Sequence, residues 1–310
     1  MASIGTVPIA ARWATCGAMA ISTAARPPLV QRVPPHAYFV GSAIFHYLGP
    51  AFAVLLFVRV GPLGTAWLRI AAAALVLCAW RRPWRLLRER TLLALGSVLA
   101  VMNCCFYLAI DRLPLGTVAA IEFLPVIVLA AIGARTLRNG TAIALAVPGV
   151  YLLTNVRLEG SPLGVAFAFA NAILFALYIV LAHRVARHGA IGGIDGLAAS
   201  MFVAAVVVTP LAGWAAVPAA GDPVALLAGV GVGVCSSVIP YMCDQLAMQR
   251  LARASYALMV SLLPATATVI GVIVLAQVPS AAEALGVALV IAGVAVHREP
   301  AASDQPAAAA

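Results

Sequence analysis

Apolar runs long enough to cross a bilayer recur along most of this chain, separated by short gaps that carry Arg, Pro or Gly. No other feature constrains the fold as strongly. Inside hydrocarbon every backbone N–H and C=O must find its partner within the protein, which leaves only helices and closed barrels. The alternation that barrel strands require is absent, so the sequence predicts an all-α, polytopic membrane protein. Composition agrees: the 310 residues are 64% hydrophobic and 9% charged, too few polar side chains to cover a soluble domain of this size.

Ten transmembrane helices are expected, at 37–57, 61–80, 91–110, 113–134, 141–155, 162–182, 196–214, 223–243, 254–276 and 280–296. The fifth is short and contains Pro148. Residues 1–35 are rich in Ala, Pro and Arg, hold no apolar piece of spanning length and lack a cleavable-signal pattern. They read as a loosely ordered cytoplasmic extension, and residues 298–310 as a similar tail.

All nineteen basic residues are Arg. With both termini inside, fifteen of them fall on the inner side, including Arg81, Arg82, Arg85, Arg88 and Arg90, against Arg59, Arg112 and Arg157 outside. The positive-inside rule therefore predicts a multi-pass protein of the plasma or inner membrane, N-terminus and C-terminus cytoplasmic. That bias accounts for the net charge of +9, and no nucleic-acid partner is needed. The six cysteines show no CxxC and no ligand set; they read as small apolar side chains, and neither a metal nor a cofactor is implied. A homodimer is left open.

Ten spans divide into five and five, and an odd count inserts the second half upside down. "YLAIDRLPLGTVAA" (107–120) aligns with "QLAMQRLARASYAL" (245–258) at an offset of 138, and the "LP" of Leu124–Pro125 matches that of Leu263–Pro264 one residue out of register. The expected organisation is a first five-helix repeat at 36–157 and a second at 158–297. Inverted repeats of this kind belong to secondary transporters, whose halves rock about a midplane site. Pro125 and Pro264 fit hinges in the two halves.

Five polar side chains from five spans share one layer. Glu122 lies nine residues from the outer end of its span, about 13 Å deep, and Arg69 about 12 Å deep. Asn171 enters from outside to a similar depth, and Asn103 and His46 from inside. A charge at the bilayer centre costs about 2.5–3.5 kcal/mol, so Arg69 and Glu122 must face protein or water. One reading is a structural salt bridge between spans two and four. The other is a transport site in which Arg69 attracts a substrate carboxylate while Glu122 exchanges protons or meets a substrate amine. Asn103 and Asn171 serve equally as interhelical glue or ligand contacts. His46 is a proton relay or a histidine satisfied by a neighbour. Tyr107 and Tyr178 read as interfacial anchors, Asp244 and Gln245 as headgroup-facing, and Glu283 as lying near the outer surface.

"GPLGTAWLRIAAAALVLCAWRRPWR" (61–85) and "NCCFYLAIDRLPLGTVAAIEFLP" (103–125) resemble the EamA-type drug/metabolite transporter superfamily, above all its threonine/homoserine exporter branch. The likeness rests on a GP…R helix with a basic turn, Asn…Tyr-x-Ala, an Arg-x-Pro-Leu-Gly turn and a Glu-Phe pair. It differs in that "EFLP" lacks the glycine often found before the proline. The resemblance implies a secondary transporter exporting small polar metabolites, amino acids foremost, by proton-coupled alternating access. An importer or a drug efflux permease is the variant within that class. An intramembrane enzyme would need a nucleophile with its base, or a metal set; there is no HExxH, GxSxG, aspartate pair or Cys/His cluster. A non-catalytic scaffold or receptor would not require a polar layer inside the bundle.

Overall fold

The computed structural model describes residues 34–125, 137–158, 161–187, 193–248 and 263–296. All regular structure among them is helical. In chain order the helices are α1 (Pro35–Arg81), α2 (Arg90–Ile110), α3 (Leu115–Glu122), α4 (Leu137–Leu158), α5 (Pro162–Arg187), α6 (Gly193–Ala212), α7 (Pro223–Gly233), α8 (Ile239–Met248), α9 (Leu263–Leu275) and α10 (Ala281–Val296). A π turn, Val234–Val238, joins α7 to α8, and 3₁₀ segments lie at Trp84–Leu86 and Gly213–Gly221. The N-terminal extension, the C-terminal tail, the latter part of the fourth expected span and the first part of the ninth lie outside the described residues.

Burial within a helix shows what solvent surrounds it. In α2 the buried positions Leu92, Leu95, Leu99, Asn103, Phe106 and Ile110 recur every three or four residues, while Leu93 and Val101 are exposed. Both faces are apolar, so the outer one suits lipid rather than water. Among the described residues five helical stretches are long and apolar enough to cross a membrane, and three shorter apolar helices accompany them.

At 47 residues α1 would be about 70 Å long, more than twice the hydrocarbon thickness. It reverses at Gly61, whose φ of 67° and ψ of 174° lie in a region open almost only to glycine. Pro62 then starts the second arm, where its missing N–H leaves no bond unmade, and Thr65 Oγ1 donates to Gly61 O at 2.8 Å. The neighbouring α7–α8 segment demonstrates the reversal. Along it Asp222, Ser236 and Asp244 meet Arg59, Gly49 and Ser42 in descending order, whereas Gly229 and Gly233 meet Leu68 and Ala72 in ascending order. The two arms are therefore antiparallel, and α1 supplies two of the expected spans. The fifth expected span, 141–155, is the middle of the longer helix α4.

Two close approaches resemble each other. A Cβ on Gly96 of α2 would collide with Ser200 O and Val203 Cβ of α6; one on Gly233 of α7 would collide with Arg69 O and Ala72 Cβ of α1. Each pair of obstructing residues is three apart. Gly96 and Gly233, however, are one residue closer in the chain than the offset of 138 that aligns the later residues. The π turn lies between these two registers, and a π turn is what one extra residue makes of an α-helix. The last helices of the halves, α4 and α10, pack antiparallel: Gly149 meets Gly286 and Val290, Gly293 meets Ala142, and Arg138 Nε donates to Val296 O at 2.7 Å.

Gly96→Val and Gly233→Val should each destabilise the protein by about 1–3 kcal/mol, because backbone carbonyls stand where the side chain must go. Thermal unfolding in detergent measures this, with Gly231→Val, at an open position, as the control. At one rim, Asp222 caps α7 through Val224 N and Ala225 N and meets Arg59. The Ala225 N–H first, then Arg59, hold its carboxyl below the ordinary range. Its contribution to stability is therefore present above the ordinary carboxylate pKa and lost as pH falls through the lowered value. Asp222→Asn should flatten that acid limb of the melting curve.

Candidate functional site

Arg69 and Glu122 are each 3% exposed, and they do not pair with each other. The ion pairs among the described residues are Arg59–Asp222, Arg81–Asp195 and Asp111–Arg112, all partly exposed. The salt bridge considered from sequence is thus not formed. Each charge is held by neutral groups instead.

Arg69, on the second arm of α1, donates from Nη2 to Ser236 O at 2.7 Å and from Nε to Ser237 Oγ at 2.8 Å. Its guanidinium carbon lies 5.6 Å from the centre of the Tyr107 ring, in cation–π range. Local sequence explains the free carbonyl. Residue 240 would normally donate its N–H to Ser236 O, but it is proline and has none. The π turn and Pro240 together turn a backbone acceptor toward the guanidinium. Gly49 allows this approach, since a Cβ there would overlap Ser236.

Glu122 ends α3. Pro125 has no N–H for Ile121 O, and the helix breaks at Phe123, whose N–H turns back to Ile121 O. The Glu122 carboxylate therefore sits at a helix discontinuity, where Asn171 Nδ2 of α5 donates to Oε1 at 2.9 Å. Asn171 thus makes a hydrogen bond between helices, one of the two roles open to it from sequence. Asn103 is buried but donates to Leu99 O of its own helix at 2.7 Å, while its side chain also adjoins Tyr241. His46 is half-buried, edge-on to the rings of Tyr47 and Tyr241 at 5.5 and 5.9 Å. Pro125 lies just after the α3 break and Pro264 near the start of the described part of α9.

Several sequence expectations change. Tyr107 is no interfacial anchor: it is fully buried against Arg69. Tyr178 is buried as well, stacked on Phe175. Asp244 and Gln245 are 7% and 3% exposed rather than headgroup-facing, because their helix continues to Met248. Glu283 is buried in a capping box with Ser280 at the start of α10. Tyr107 thus joins the layer, and so do Tyr47, Tyr241, Ser236 and Ser237, which the sequence had not singled out. Tyr47 faces Glu122, and Tyr241 lies near both Arg69 and Glu122.

Buried polar atoms almost always find partners. Here Tyr47 OH, Tyr107 OH, Asn171 Oδ1, Ser200 Oγ, Ser236 Oγ and Gln245 Oε1 have none among the described residues. Tyr47, Tyr107, Asn171 and Ser236 border Arg69 or Glu122 directly. A cation, a carboxylate and several hydroxyl and amide oxygens without ordinary hydrogen-bond partners are thus gathered in the interior of the bundle.

Two comparisons bear on this arrangement. The threonine/homoserine exporter RhtA of Salmonella typhimurium (strain SL1344) is 31% identical over 264 residues, covering 81% of this chain and 88% of that protein. Its Escherichia coli (strain K12) counterpart is 30% identical over 251 residues, covering 79% and 84%. The sequence model of the EamA-like transporter family matches residues 162–297. This chain belongs to the EamA-like transporter family. It is a membrane transporter of the drug/metabolite type, and its relatives are transporters rather than enzymes. A solved crystal structure shares the fold, with a TM-score of 0.56 at 20% identity over 85% of this chain and 98% of that one.

Asn171→Ala would leave the buried Glu122 without its donor and should cost about 1–3 kcal/mol of stability. In a double-mutant cycle with Glu122→Gln, unfolding in detergent should report a coupling of at least about 0.5 kcal/mol.

Proposed function

We propose that this protein is a secondary active exporter of small amino acids of the threonine/homoserine kind, driven by exchange with protons at Glu122. The observation that carries the reading is the separation of the two buried charges. Arg69 and Glu122 each rest on neutral donors or acceptors, with unpartnered oxygens around them. A zwitterionic substrate supplies what each lacks: its carboxylate for the Arg69 guanidinium and its ammonium for Glu122. Uncommitted hydroxyls and amides such as Tyr107 OH and Asn171 Oδ1 suit a small hydroxyl-bearing side chain. The naming of the relatives as threonine/homoserine exporters supports the same substrate class.

In this reading ten transmembrane helices form two inverted five-helix repeats, 36–157 and 158–297, with both termini cytoplasmic. The mirrored contacts of Gly96 and Gly233 favour it, as does the family match to 162–297. The site opens inward, Glu122 gives up its proton as the substrate ammonium arrives, and the loaded site then opens outward. There the substrate leaves and a proton returns to Glu122. Protons and the amino acid thus compete for one carboxylate, and that competition is the coupling. The break at Glu122–Pro125 and Pro264 in the other half supply the hinges. His46 and Asn103 line the inner side of the site.

Purified protein in liposomes tests this. Glu122→Gln should abolish substrate movement driven by a pH gradient while one-for-one counterflow of labelled threonine or homoserine persists. Undiminished pH-driven transport in that variant would remove the coupling role. Arg69→Gln should weaken substrate binding roughly 10- to 100-fold, the worth of one charge-assisted hydrogen bond.

A further inference from the structure

Asp244 plays no part in the site described above, yet it too is a buried carboxylate, and unlike Glu283 it is not held by a helix-capping N–H. It projects from α8 and is 7% exposed. Ser42 of the first α1 arm lies against it, Oγ to Oδ1 at 2.5 Å, and the same Oγ is 3.2 Å from Pro240 O. A serine hydroxyl has one hydrogen to donate. Were Asp244 ionised, that hydrogen would go to the carboxylate, and two oxygens, Ser42 Oγ and Pro240 O, would face each other with none between them. Both contacts are satisfied together when Asp244 carries a proton. Its O–H then donates to Ser42 Oγ, and the Ser42 O–H donates to Pro240 O.

The surroundings favour the neutral acid. No Arg or His among the described residues forms an ion pair with Asp244. The titratable groups that face it are Tyr47 of α1 and, on its own helix, Tyr241 and Cys243. Helices α5 and α6, which also touch α8, bring no charged side chain against it. A buried carboxylate without a cation is costly as an anion. Tyr47, moreover, faces both Asp244 and Glu122, and its hydroxyl makes no hydrogen bond of ordinary geometry.

We propose that Asp244 is a second proton-binding carboxylate of this protein, distinct from Glu122. Ser42 is five residues nearer the start of α1 than Tyr47, about 7 Å along the helix, so Asp244 is displaced from Glu122 toward the end of the bundle where α1 begins. When the proton leaves, only the Asp244 O–H bond is broken. The Ser42 hydroxyl then rotates from Pro240 O to the carboxylate, which exchanges one acceptor for another and keeps the anion solvated. Proton binding at Asp244 stands independently of the export reading; only the added proton per transport cycle rests on it.

Infrared difference spectroscopy on the full-length protein in detergent, titrated with acid and with the proton as the only ligand, tests the site directly. The wild type should show two protonated-carboxyl C=O bands. Asp244→Asn should lose one and Glu122→Gln the other. Ser42→Ala should keep the Asp244 band but shift it to higher frequency, since the hydroxyl acceptor is gone; this variant also serves if Asp244→Asn does not fold. An Asp244→Asn spectrum with both bands, or an unshifted band in Ser42→Ala, overturns the proposal. If Asp244→Asn removes a band and Glu122→Gln removes none, the Asp244 site stands and the coupling role of Glu122 falls. In liposomes, Asp244→Asn should lower the proton-to-substrate ratio by one with counterflow retained, and an unchanged ratio overturns its part in coupling.

Discussion

A guanidinium buried at mid-depth needs acceptors, and the π turn between α7 and α8 supplies them. Ser236 O and Ser237 Oγ hold Arg69 because Pro240 leaves the carbonyl without its helical donor and the extra residue rotates it inward. Gly49 and Gly233 bring that segment against both arms of α1, and neither position leaves room for a side chain. With Arg69 satisfied by a neutral backbone group, its charge is not consumed by Glu122. The carboxylate is likewise held by an amide, Asn171, at the end of an interrupted helix. Two opposite buried charges thus rest on separate neutral partners, and it is on this separation that the proposed export of a zwitterion is argued.

In the proposed two-repeat plan the close approaches and the buried charges are distributed differently. Gly96 and Gly233 make corresponding close approaches, and by that correspondence Arg69 matches Ser200. Glu122 matches Val260 by the sequence offset of 138. The scaffold contacts, which depend on small residues and backbone, recur in both halves. The charges occur in one. A packing device gains from duplication, but a second buried Arg and Glu would each add a desolvation cost.

Much of this was legible in the sequence. Helical class, the membrane setting and a layer containing Arg69, Glu122, Asn171, Asn103 and His46 follow from the length of apolar runs and the rise of a helix. Tyr107 reads as an interfacial anchor because it lies near the end of an expected span; only packing shows it beneath a guanidinium. Asp244 was misplaced for a related reason. Counting apolar residues ends its span at residue 243, whereas the helix runs on to Met248 and carries the carboxylate inside. The π turn itself left a trace, a one-residue difference in repeat register, that became visible once Gly96 and Gly233 could be superposed by their contacts.

By itself, then, the sequence determined that the backbone must be helical and that Arg69 and Glu122 stand inside long apolar segments, where each must face protein or water. Those properties depend on periodicity and on the cost of polar groups in hydrocarbon, both local to a segment. Which partners the charges take was decided by tertiary structure alone. Hydrogen bonds between helices depend on rotation and register at the ångström scale, and one added residue, a proline and a glycine set those here. The same mid-depth Arg and Glu could have closed into a structural salt bridge. The packing of α7–α8 on α1 gave Arg69 a different partner and left Glu122 to Asn171.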